Sequence, residues 1–357
     1  MVADASYNRI AVVGTGGYGW HFLSALIHCN HFINVRAVTR RPQPAQDNTA
    51  KLTRMRQLRG LGIEVVEYAE TTAEAFKLAF ADSDIVVSAV GVLGVPDQIA
   101  MIDGALLAGV KWFIPSEYGV VHYPSKWMPF AGPLAAKGPV QDYLIKAAES
   151  KGLAYTVIYT GLALDYLDPR SIGLKLTKRT ATLVGRGGSP VTFTSINDVV
   201  RLLVAIVQRP QDMQNRTIRY AGSTAKMRDL LKVVTGSNCG ENLKIVSIDE
   251  AKIKFRELAR NQDMKAFQIY GRLLIEEGLA QINRYQEPLN NDLFPEIEPE
   301  PISQTLERLI ERASALDGLN NLKSGPVHRS GTATSVTDGI GRVYRPDPLS
   351  PIESDTE

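Results

Sequence analysis

Short apolar runs alternate with longer, helix-like segments through the first third of the chain. Such runs, rich in β-branched residues, are typical of strands that are buried on both faces of a sheet. The runs lie at 10–13, 34–39, 62–67, 84–91 and 110–115, and the segments predicted as helices lie at 21–27, 50–59, 72–81 and 95–108. Because the connections are short, this repetition predicts an α/β fold, a doubly wound parallel sheet with helices on both faces.

The second half of the chain begins with a sixth strand at 153–159 and then becomes less regular. Short strands at 182–184 and 191–194 flank a glycine-rich turn at 185–188, which predicts a hairpin because no helix follows the glycines directly. The segment continues with a helix at 199–208, a strand at 217–220 and a helix at 227–235. From about residue 241 the pattern is mostly helical, with helices at 248–260, 264–276 and 302–315.

Composition and charge are those of an ordinary globular protein of 357 residues. A formal net charge of +2 gives no indication of a nucleic-acid or membrane partner. The two cysteines, Cys29 and Cys239, can form no disulfide framework or zinc cluster, and with no recognisable signal peptide they indicate a reduced, cytoplasmic location. The segment 319–357 is rich in Ser, Thr, Gly, Pro and Asp, which predicts a disordered tail.

Four glycines follow the first predicted strand, in the run Gly14-Thr15-Gly16-Gly17-Tyr18-Gly19. Gly14 permits a tight turn, Gly16 lets backbone N–H groups approach a pyrophosphate, and Gly19 lets the helix pack closely on the strand. The phosphates are expected at the N-terminus of the following helix, where free N–H groups and the helix dipole favour anions. The succession of strand, glycine-rich turn and helix predicts a Rossmann dinucleotide-binding site, although glycine-rich turns also serve plain strand-to-helix packing.

Two arginines, Arg40 and Arg41, stand at the end of the second predicted strand. An NAD-preferring site places a carboxylate there to hold the ribose hydroxyls, and this sequence has none. Arginine suits a 2′-phosphate through its charge and its forked hydrogen bonds, so the pair favours NADP, that is NADPH, as the cofactor. The alternative interpretation is an ordinary solvated loop.

The carboxyl ends of parallel strands gather at one rim of such a sheet, where ligands bind. Gly91 ends the fourth predicted strand and leaves room for the cofactor to pass beside it. Ser116 follows the fifth strand and is a candidate to contact the nicotinamide ribose, although it also suits a backbone-satisfying role at the strand end. Both residues are therefore expected beside the glycine turn.

The run Lys111-Trp112-Phe113-Ile114-Pro115-Ser116-Glu117-Tyr118-Gly119 resembles the signature of the isoflavone reductase and phenylcoumaran benzylic ether reductase group. These proteins are NmrA-like, atypical short-chain dehydrogenases. The segments 84–91 and 98–109 resemble the preceding family segments, and the resemblance extends over about residues 8–320. It implies that Arg40 contacts the 2′-phosphate. The glycine turn departs from the family pattern, because plant members usually carry one more residue between the first glycines.

A hydride reduction needs a proton partner near the nicotinamide. The Tyr-x-x-x-Lys pair of ordinary short-chain dehydrogenases is absent from the sequence. The resemblance implies a catalytic lysine at the start of a helix, and Lys137-Gly138-Pro139-Val140-Gln141 matches that context except that Gln141 replaces a basic residue. A lysine facing the positive helix end and the nicotinamide would release its proton more readily, as a general acid or base requires. The alternative is an exposed loop lysine.

Substrate contacts are expected from the loops after strands five and six. Tyr118 and His122 follow strand five and could donate hydrogen bonds to a substrate, although His122 also suits a surface loop. Leu162 and Tyr166 follow strand six and are candidates to line an apolar pocket, or equally to belong to the core. No His, Cys, Asp and Glu cluster in the sequence has metal-ligand spacing, so no metal is expected.

These patterns divide the chain into an NAD(P)-binding Rossmann domain at 1–160, to which 190–222 returns, a substrate-binding region at 161–318 and the tail. The resemblance implies an NADPH-dependent reductase of a small apolar, aromatic or polyketide-type metabolite, with Lys137 as general acid or base. The alternatives are a regulatory protein that senses dinucleotide without turnover, for which Lys137 is unnecessary, and a scaffold that has lost its nucleotide. The sequence leaves open whether the protein forms a homodimer.

Overall fold

The structure is a computed structural model that describes residues 7–29, 31–43, 48–121, 135–163, 165, 172–176, 178–235, 242–261, 263 and 265–323. Its strands are β1 Arg9–Val13, β2 Asn34–Arg40, β3 Glu64–Tyr68, β4 Ile85–Ser88, β5 Trp112–Ile114, β6 Ala154–Tyr159, β7 Leu174–Lys175, β8 Thr180–Val184, β9 Pro190–Phe193, β10 Arg216–Arg219, β11 Ser223–Lys226 and β12 Leu243–Val246. Its helices are α1 Gly17–Leu26, α2 Thr49–Gly60, α3 Ala73–Ala79, α4 Gln98–Ala108, α5 Lys137–Lys151, α6 Ile196–Val207, α7 Pro210–Met213, α8 Met227–Thr235, α9 Ile248–Arg260, α10 Lys265–Glu276 and α11 Ile302–Lys323.

A seven-stranded sheet in the order β10-β6-β5-β4-β1-β2-β3 forms the centre of the fold. Every pair of neighbours in it is parallel. From β1 the chain first adds β2 and β3 on one side, and then β4, β5 and β6 on the other side. The sheet is therefore doubly wound, with a topological switch point between β1 and β4. The predicted fold class is therefore confirmed.

Helices cover both faces of this sheet, because its strands are apolar on both sides. In β1, Ile10 and Val12 pack into a core cluster with α1 and α6 residues such as Phe22 and Leu203. Their neighbours Ala11 and Val13 belong to a second cluster on the opposite face, with residues of α3, α4 and α5. Fully burying such aliphatic side chains contributes about 1.5–3 kcal/mol each, which explains why short runs form stable strands.

Only part of the segment 190–222 joins the central layer, which consists of the seven-stranded sheet and the helices packed on it. α6 packs on α1, and β10 pairs with β6 at one edge of the main sheet. β9, however, pairs antiparallel with β11 in a separate two-stranded sheet. The chain thus leaves the central layer after β6 and re-enters it at α6.

The prediction of a hairpin around 185–188 is wrong. β8 pairs with β7 and β12 in a three-stranded sheet, while β9 belongs to the sheet with β11. Between them, the N–H groups of Arg186 and Gly187 each donate to the carboxylate of Glu276 at 3.1 Å. The turn at 185–188 is therefore held against the C-terminal end of α10. β12 lies in a region that was predicted to be mostly helical.

The last helix is longer than predicted, since α11 continues to Lys323 whereas the sequence pattern indicated an end at 315 and a tail from 319. Residues 324–357 lie outside the described residues. Within the described ranges, no helix combines the length and the apolar character that crossing a membrane requires.

Candidate functional site

The predicted nucleotide site lies at the carboxyl ends of β1, β2 and β4. The Gly14 N–H donates to the Val38 carbonyl at 2.9 Å, which ties the glycine turn to β2. On the other side, the Ala89 N–H donates to the Val13 carbonyl at 2.8 Å and holds the end of β4 beside the turn. The structure thus places the turn at the switch point, where open α/β sheets bind ligands.

Two glycines in this turn cannot carry a side chain. Gly14 has φ of +101°, and a Cβ there would lie 2.5 Å from the Ala89 carbonyl oxygen. A Cβ on Gly19 would lie 2.0 Å from the carbonyl oxygen of Gly14, so the helix approaches the strand closely. Thr15 is buried, and its hydroxyl lies 3.4 Å from that of Thr39 on β2. The expected geometric roles of Gly14 and Gly19 are confirmed.

The N-terminus of α1 faces this turn without a side-chain cap. Gly16 occupies the capping position and Gly17 is the first helical residue. The N–H groups of a first helical turn have no partners within the helix and attract anions together with the helix dipole. Tyr18 lies in the same turn, with its ring centroid 5.3 Å from that of Tyr118. This cradle fits the pyrophosphate of a dinucleotide.

Arg40 lies at the end of β2 and forms an ion pair that sequence reasoning missed. Its guanidinium contacts the Asp97 carboxylate at 2.7 Å and lies over the Tyr68 ring, 5.9 Å from the centroid. Burial raises the pKa of Asp97, and the charge of Arg40 opposes that effect. Arg41 donates its backbone N–H to the Tyr68 carbonyl at 2.7 Å, and its side chain is exposed.

The space after β4 is open at Gly91. A Cβ at this position would meet no atom within 4 Å, and a short 3₁₀ turn follows at Val92–Gly94. Gly91 therefore has open space beside it, and its contact with a cofactor stays a prediction.

The loop after β5 is held by hydrogen bonds to neighbouring elements. The Ser116 N–H donates to the side-chain oxygen of Gln98 at 2.7 Å, and its hydroxyl donates to the Val90 carbonyl at 2.9 Å. Gln98 is fully buried at the start of α4, and the sequence pattern had marked it only as part of a helix. The Ser116 hydroxyl therefore satisfies a backbone carbonyl, which is one of the two roles predicted for it. A contact between Ser116 and the nicotinamide ribose stays a prediction.

Tyr118 is almost completely buried, and its hydroxyl donates to the Ser88 carbonyl at 2.9 Å. Burial raises the pKa of this phenol, and the neighbouring Glu117 charge acts in the same direction. The hydroxyl thus has a structural partner, and a substrate contact by Tyr118 stays a prediction.

Lys137 is the first residue of α5, and its amine returns to the loop after β5. Its Nζ donates to the Glu117 backbone carbonyl at 2.8 Å and lies 3.6 Å from a carboxylate oxygen of the same residue. The Lys137 side chain is 12% exposed and that of Glu117 is fully buried. The interpretation of Lys137 as an exposed loop residue is therefore wrong.

The loop after β6 connects the rim to the second half of the chain. The carbonyl of Gly119 accepts the N–H groups of Thr160 at 3.1 Å and Gly161 at 3.0 Å. Leu162 is half-buried, and its N–H donates to the Thr192 carbonyl of β9 at 2.8 Å. This places Leu162 between the central sheet and the region predicted to bind substrate.

Two predicted substrate contacts, His122 and Tyr166, lie outside the described residues. Among the residues that the structure does describe, no three His, Cys, Asp or Glu side chains are grouped to hold a metal ion.

Comparisons with known proteins agree with this fold. The chain is 29% identical over 244 residues to "Oxidoreductase aprR" of Aspergillus flavus, a match that covers 65% of this chain and 75% of the relative. It is 27% identical over 240 residues to phenylcoumaran benzylic ether reductase PT1 of Pinus taeda, which covers 63% of this chain and 73% of the relative. The binary complex of leucoanthocyanidin reductase and NADPH from Vitis vinifera has a TM-score of 0.67 and 19% identity, covering 85% of this chain and 99% of that one.

The sequence profile of the NmrA-like family matches residues 6–303, most of the chain. The matched segment includes the glycine turn, Arg40, the loop after β5 and Lys137. The resemblance suggested by residues 111–119 is thereby confirmed. From this match and the doubly wound sheet, the chain belongs to the NmrA-like family.

Proposed function

We propose that the protein is an NADPH-dependent reductase that transfers hydride to a small, largely apolar metabolite of an aromatic or polyketide type. The observation that carries this proposal is the position of Lys137, whose amine is enclosed at the rim and lies 2.8 Å from the Glu117 carbonyl. A cationic donor in this position, beside a dinucleotide cradle, suits a reduction in which hydride and proton reach the substrate separately.

The cofactor site rests on three features of the rim. The first turn of α1 presents N–H groups to the pyrophosphate, since Gly14 and Gly19 leave no side chain in the way. Arg40 supplies a cation for the 2′-phosphate, and Gly91 leaves open space after β4. A bound NADPH would supply the hydride. Its presence in the complex of leucoanthocyanidin reductase supports the same cofactor for this chain.

The proton would pass through Lys137. Its Nζ carries up to three hydrogens, and the Glu117 carbonyl takes one of them. The amine therefore keeps donors for the substrate atom that gains negative charge when hydride arrives. Reductases among the relatives, such as phenylcoumaran benzylic ether reductase, support this class of reaction for the chain.

The substrate would lie between the loop after β5 and the loop after β6. Leu162 offers an apolar wall there, and His122 and Tyr166 are proposed to complete the pocket. An apolar lining with few polar groups binds an aromatic or polyketide-type compound through burial of its surface. We also infer a small-molecule partner in place of a macromolecular one.

The cofactor is tested first, by calorimetric titration of NADPH and NADH into the protein and into Arg40→Ala. We expect NADPH to bind more tightly than NADH, and the Arg40→Ala variant to lose about 10- to 100-fold in NADPH affinity, as for other charge-assisted contacts. Arg56→Ala, on the exposed side of α2, is the matched control and should bind NADPH normally. Absence of binding by either nucleotide would overturn the proposal.

Turnover is tested next, by following NADPH absorbance with a panel of aromatic and polyketide-type compounds. Lys137→Met should abolish reduction while NADPH affinity stays within about twofold, because the amine acts on the substrate. Lys146→Met, at an exposed position of the same helix, should retain activity. Full activity of Lys137→Met would refute the assigned role. NADPH binding without turnover of any compound would favour the dinucleotide-sensing alternative.

A further inference from the structure

We propose that Glu117 is a positioning residue for Lys137: its carbonyl and its buried carboxylate together hold the lysine as a charged, oriented proton donor. This inference rests on the proposed function and names the residue that would control the proton step. Glu117 itself does not touch the substrate in this scheme, and it acts through the amine that it holds.

The backbone on each side of Glu117 is fixed, so its two oxygen acceptors have a defined place. Ser116 is held by Gln98 at 2.7 Å and by the Val90 carbonyl at 2.9 Å. Tyr118 is held by the Ser88 carbonyl at 2.9 Å. These bonds come from α4 and from the end of β4, which are elements of the rigid central layer. The Glu117 carbonyl and carboxylate are therefore presented to Lys137 from a backbone that is held on both sides.

Charge and burial give the second argument. The Glu117 side chain is fully buried and the Lys137 side chain is 12% exposed, with 3.6 Å between the carboxylate oxygen and Nζ. A carboxylate removed from water is strongly unfavourable unless a cation lies close to it. The ammonium group of Lys137 provides that cation, so charge as well as the hydrogen bond to the Glu117 carbonyl holds the lysine in place.

The other titratable groups around this pair are already engaged among the described residues. The Tyr118 hydroxyl donates to Ser88, and the Tyr159 hydroxyl donates to Gln141 at 2.6 Å. Gln141 lies one turn after Lys137 on α5 and is neutral. Gln141 therefore adds no charge beside the pair, and its side-chain oxygen is taken by Tyr159.

The proton step follows from this arrangement. A bound nicotinamide cofactor would supply the hydride with its electron pair to a substrate carbon and would itself be oxidised. The adjacent substrate atom gains a proton as one N–H bond of Lys137 breaks, leaving a neutral amine. Water returns the proton to Nζ after the product leaves, since the side chain keeps a small exposed area.

The test compares Glu117→Gln, which keeps the shape and removes the charge, with Glu149→Gln at an exposed position of α5 as the matched control. Lys137 is labelled with acetic anhydride between pH 6 and 10, and its acetylation is measured by mass spectrometry of the peptide. We expect Glu117→Gln to raise Lys137 reactivity at pH 8 about tenfold, because the amine loses the carboxylate that holds it and reaches the reagent more readily. Unchanged reactivity would overturn the inference.

Kinetics give a second readout on the same variants. Glu117→Gln should lower kcat about tenfold, because the amine is no longer oriented towards the substrate, with KM and NADPH affinity within about twofold of the parent. A changed NADPH affinity with unchanged kcat would contradict a positioning role. The labelling result stands by itself if Lys137→Met proves fully active, so failure of the proposed function and failure of this inference can be told apart.

A double variant covers the case in which Glu117→Gln does not fold. Lys137→Met alone should lower the melting temperature, because it removes the cation that lies 3.6 Å from a buried carboxylate. Adding Glu117→Gln to Lys137→Met should recover part of that loss. An additive effect, with no recovery, would show that the two residues are not coupled and would overturn the inference.

Discussion

Arg40 and Asp97 form an ion pair at 2.7 Å that joins the end of β2 to the start of α4. The arginine proposed to bind the 2′-phosphate thus already has an anionic partner. Both side chains keep some exposure, so the pair lies at the surface of the rim. A bound phosphate would share the guanidinium with the carboxylate, because the arginine fork offers several donors.

Asp97→Asn should tighten NADPH binding by about tenfold and leave NADH binding within twofold. The carboxylate competes for Arg40 and repels a nearby phosphate, and the amide does neither. Calorimetry with both nucleotides measures the effect, and Asp142→Asn, exposed on α5, serves as the control. Weaker NADPH binding by Asp97→Asn would instead show that Asp97 orients Arg40.

Gly19→Ala should destabilise the protein by about 1–3 kcal/mol and weaken NADPH binding. The new Cβ would lie 2.0 Å from the Gly14 carbonyl oxygen, so helix and turn must separate. Gly60→Ala is the control, since a Cβ there meets no atom within 4 Å, and it should be neutral or stabilising. Denaturant unfolding and NADPH titration measure both effects. Parent-like behaviour of Gly19→Ala would refute the close approach.

Asp165 should make stability depend on pH. Burial raises its pKa to about 6, while both carboxylate oxygens accept the Ile196 N–H at 3.0 Å and Arg308 lies 3.8 Å away. A carboxyl whose pKa is higher in the folded state contributes stability that is fully present below about pH 4 and is lost as the pH rises through about 6.

Asp165→Asn cannot ionise, so its free energy of unfolding relative to the parent should improve by about 3 kcal/mol between pH 4 and pH 8. Urea unfolding at several pH values measures this difference. Asp249→Asn, exposed in the first turn of α9, should show little pH dependence relative to the parent. A constant difference between Asp165→Asn and the parent would contradict the raised pKa.

Tyr118→Phe should lower the free energy of unfolding by about 1 kcal/mol and leave kcat nearly unchanged. It removes the hydroxyl that donates to the Ser88 carbonyl and keeps the buried ring. Tyr285→Phe is the control, because Tyr285 is 60% exposed. Chemical unfolding and steady-state kinetics measure both quantities. A large loss of kcat with unchanged stability would instead support the predicted contact between Tyr118 and the substrate.

The elements of the central layer could be predicted because their signals are local. A run of four or five apolar residues predicts a strand on its own, and the Gly14–Gly19 spacing requires only a turn and a helix. Parallel order then follows from the short helical connections. The cytoplasmic location and the homodimer depend on no such local signal, and both stay predictions.

The errors fall where the partner is remote in sequence. Residues 182–194 have the pattern of a hairpin, yet β8 pairs with β12, about 60 residues later, and the turn binds the side chain of Glu276. Propensity and turn chemistry cannot choose between these pairings, because the choice depends on which strands are free to pair after the domain has packed.

The doubly wound sheet, the glycine turn and the candidate Arg40 could be predicted from the chain alone, since periodicity and motif spacing are properties of neighbouring residues. Lys137 became a candidate through the family resemblance. Only the tertiary structure decided what these side chains contact. Asp97 reaches Arg40 from 57 residues away, and Glu117 meets Lys137 from 20 residues away. Both contacts form because the strand ends converge at one rim of the sheet. For Glu117, which is fully buried, an unpaired charge there would also be strongly unfavourable.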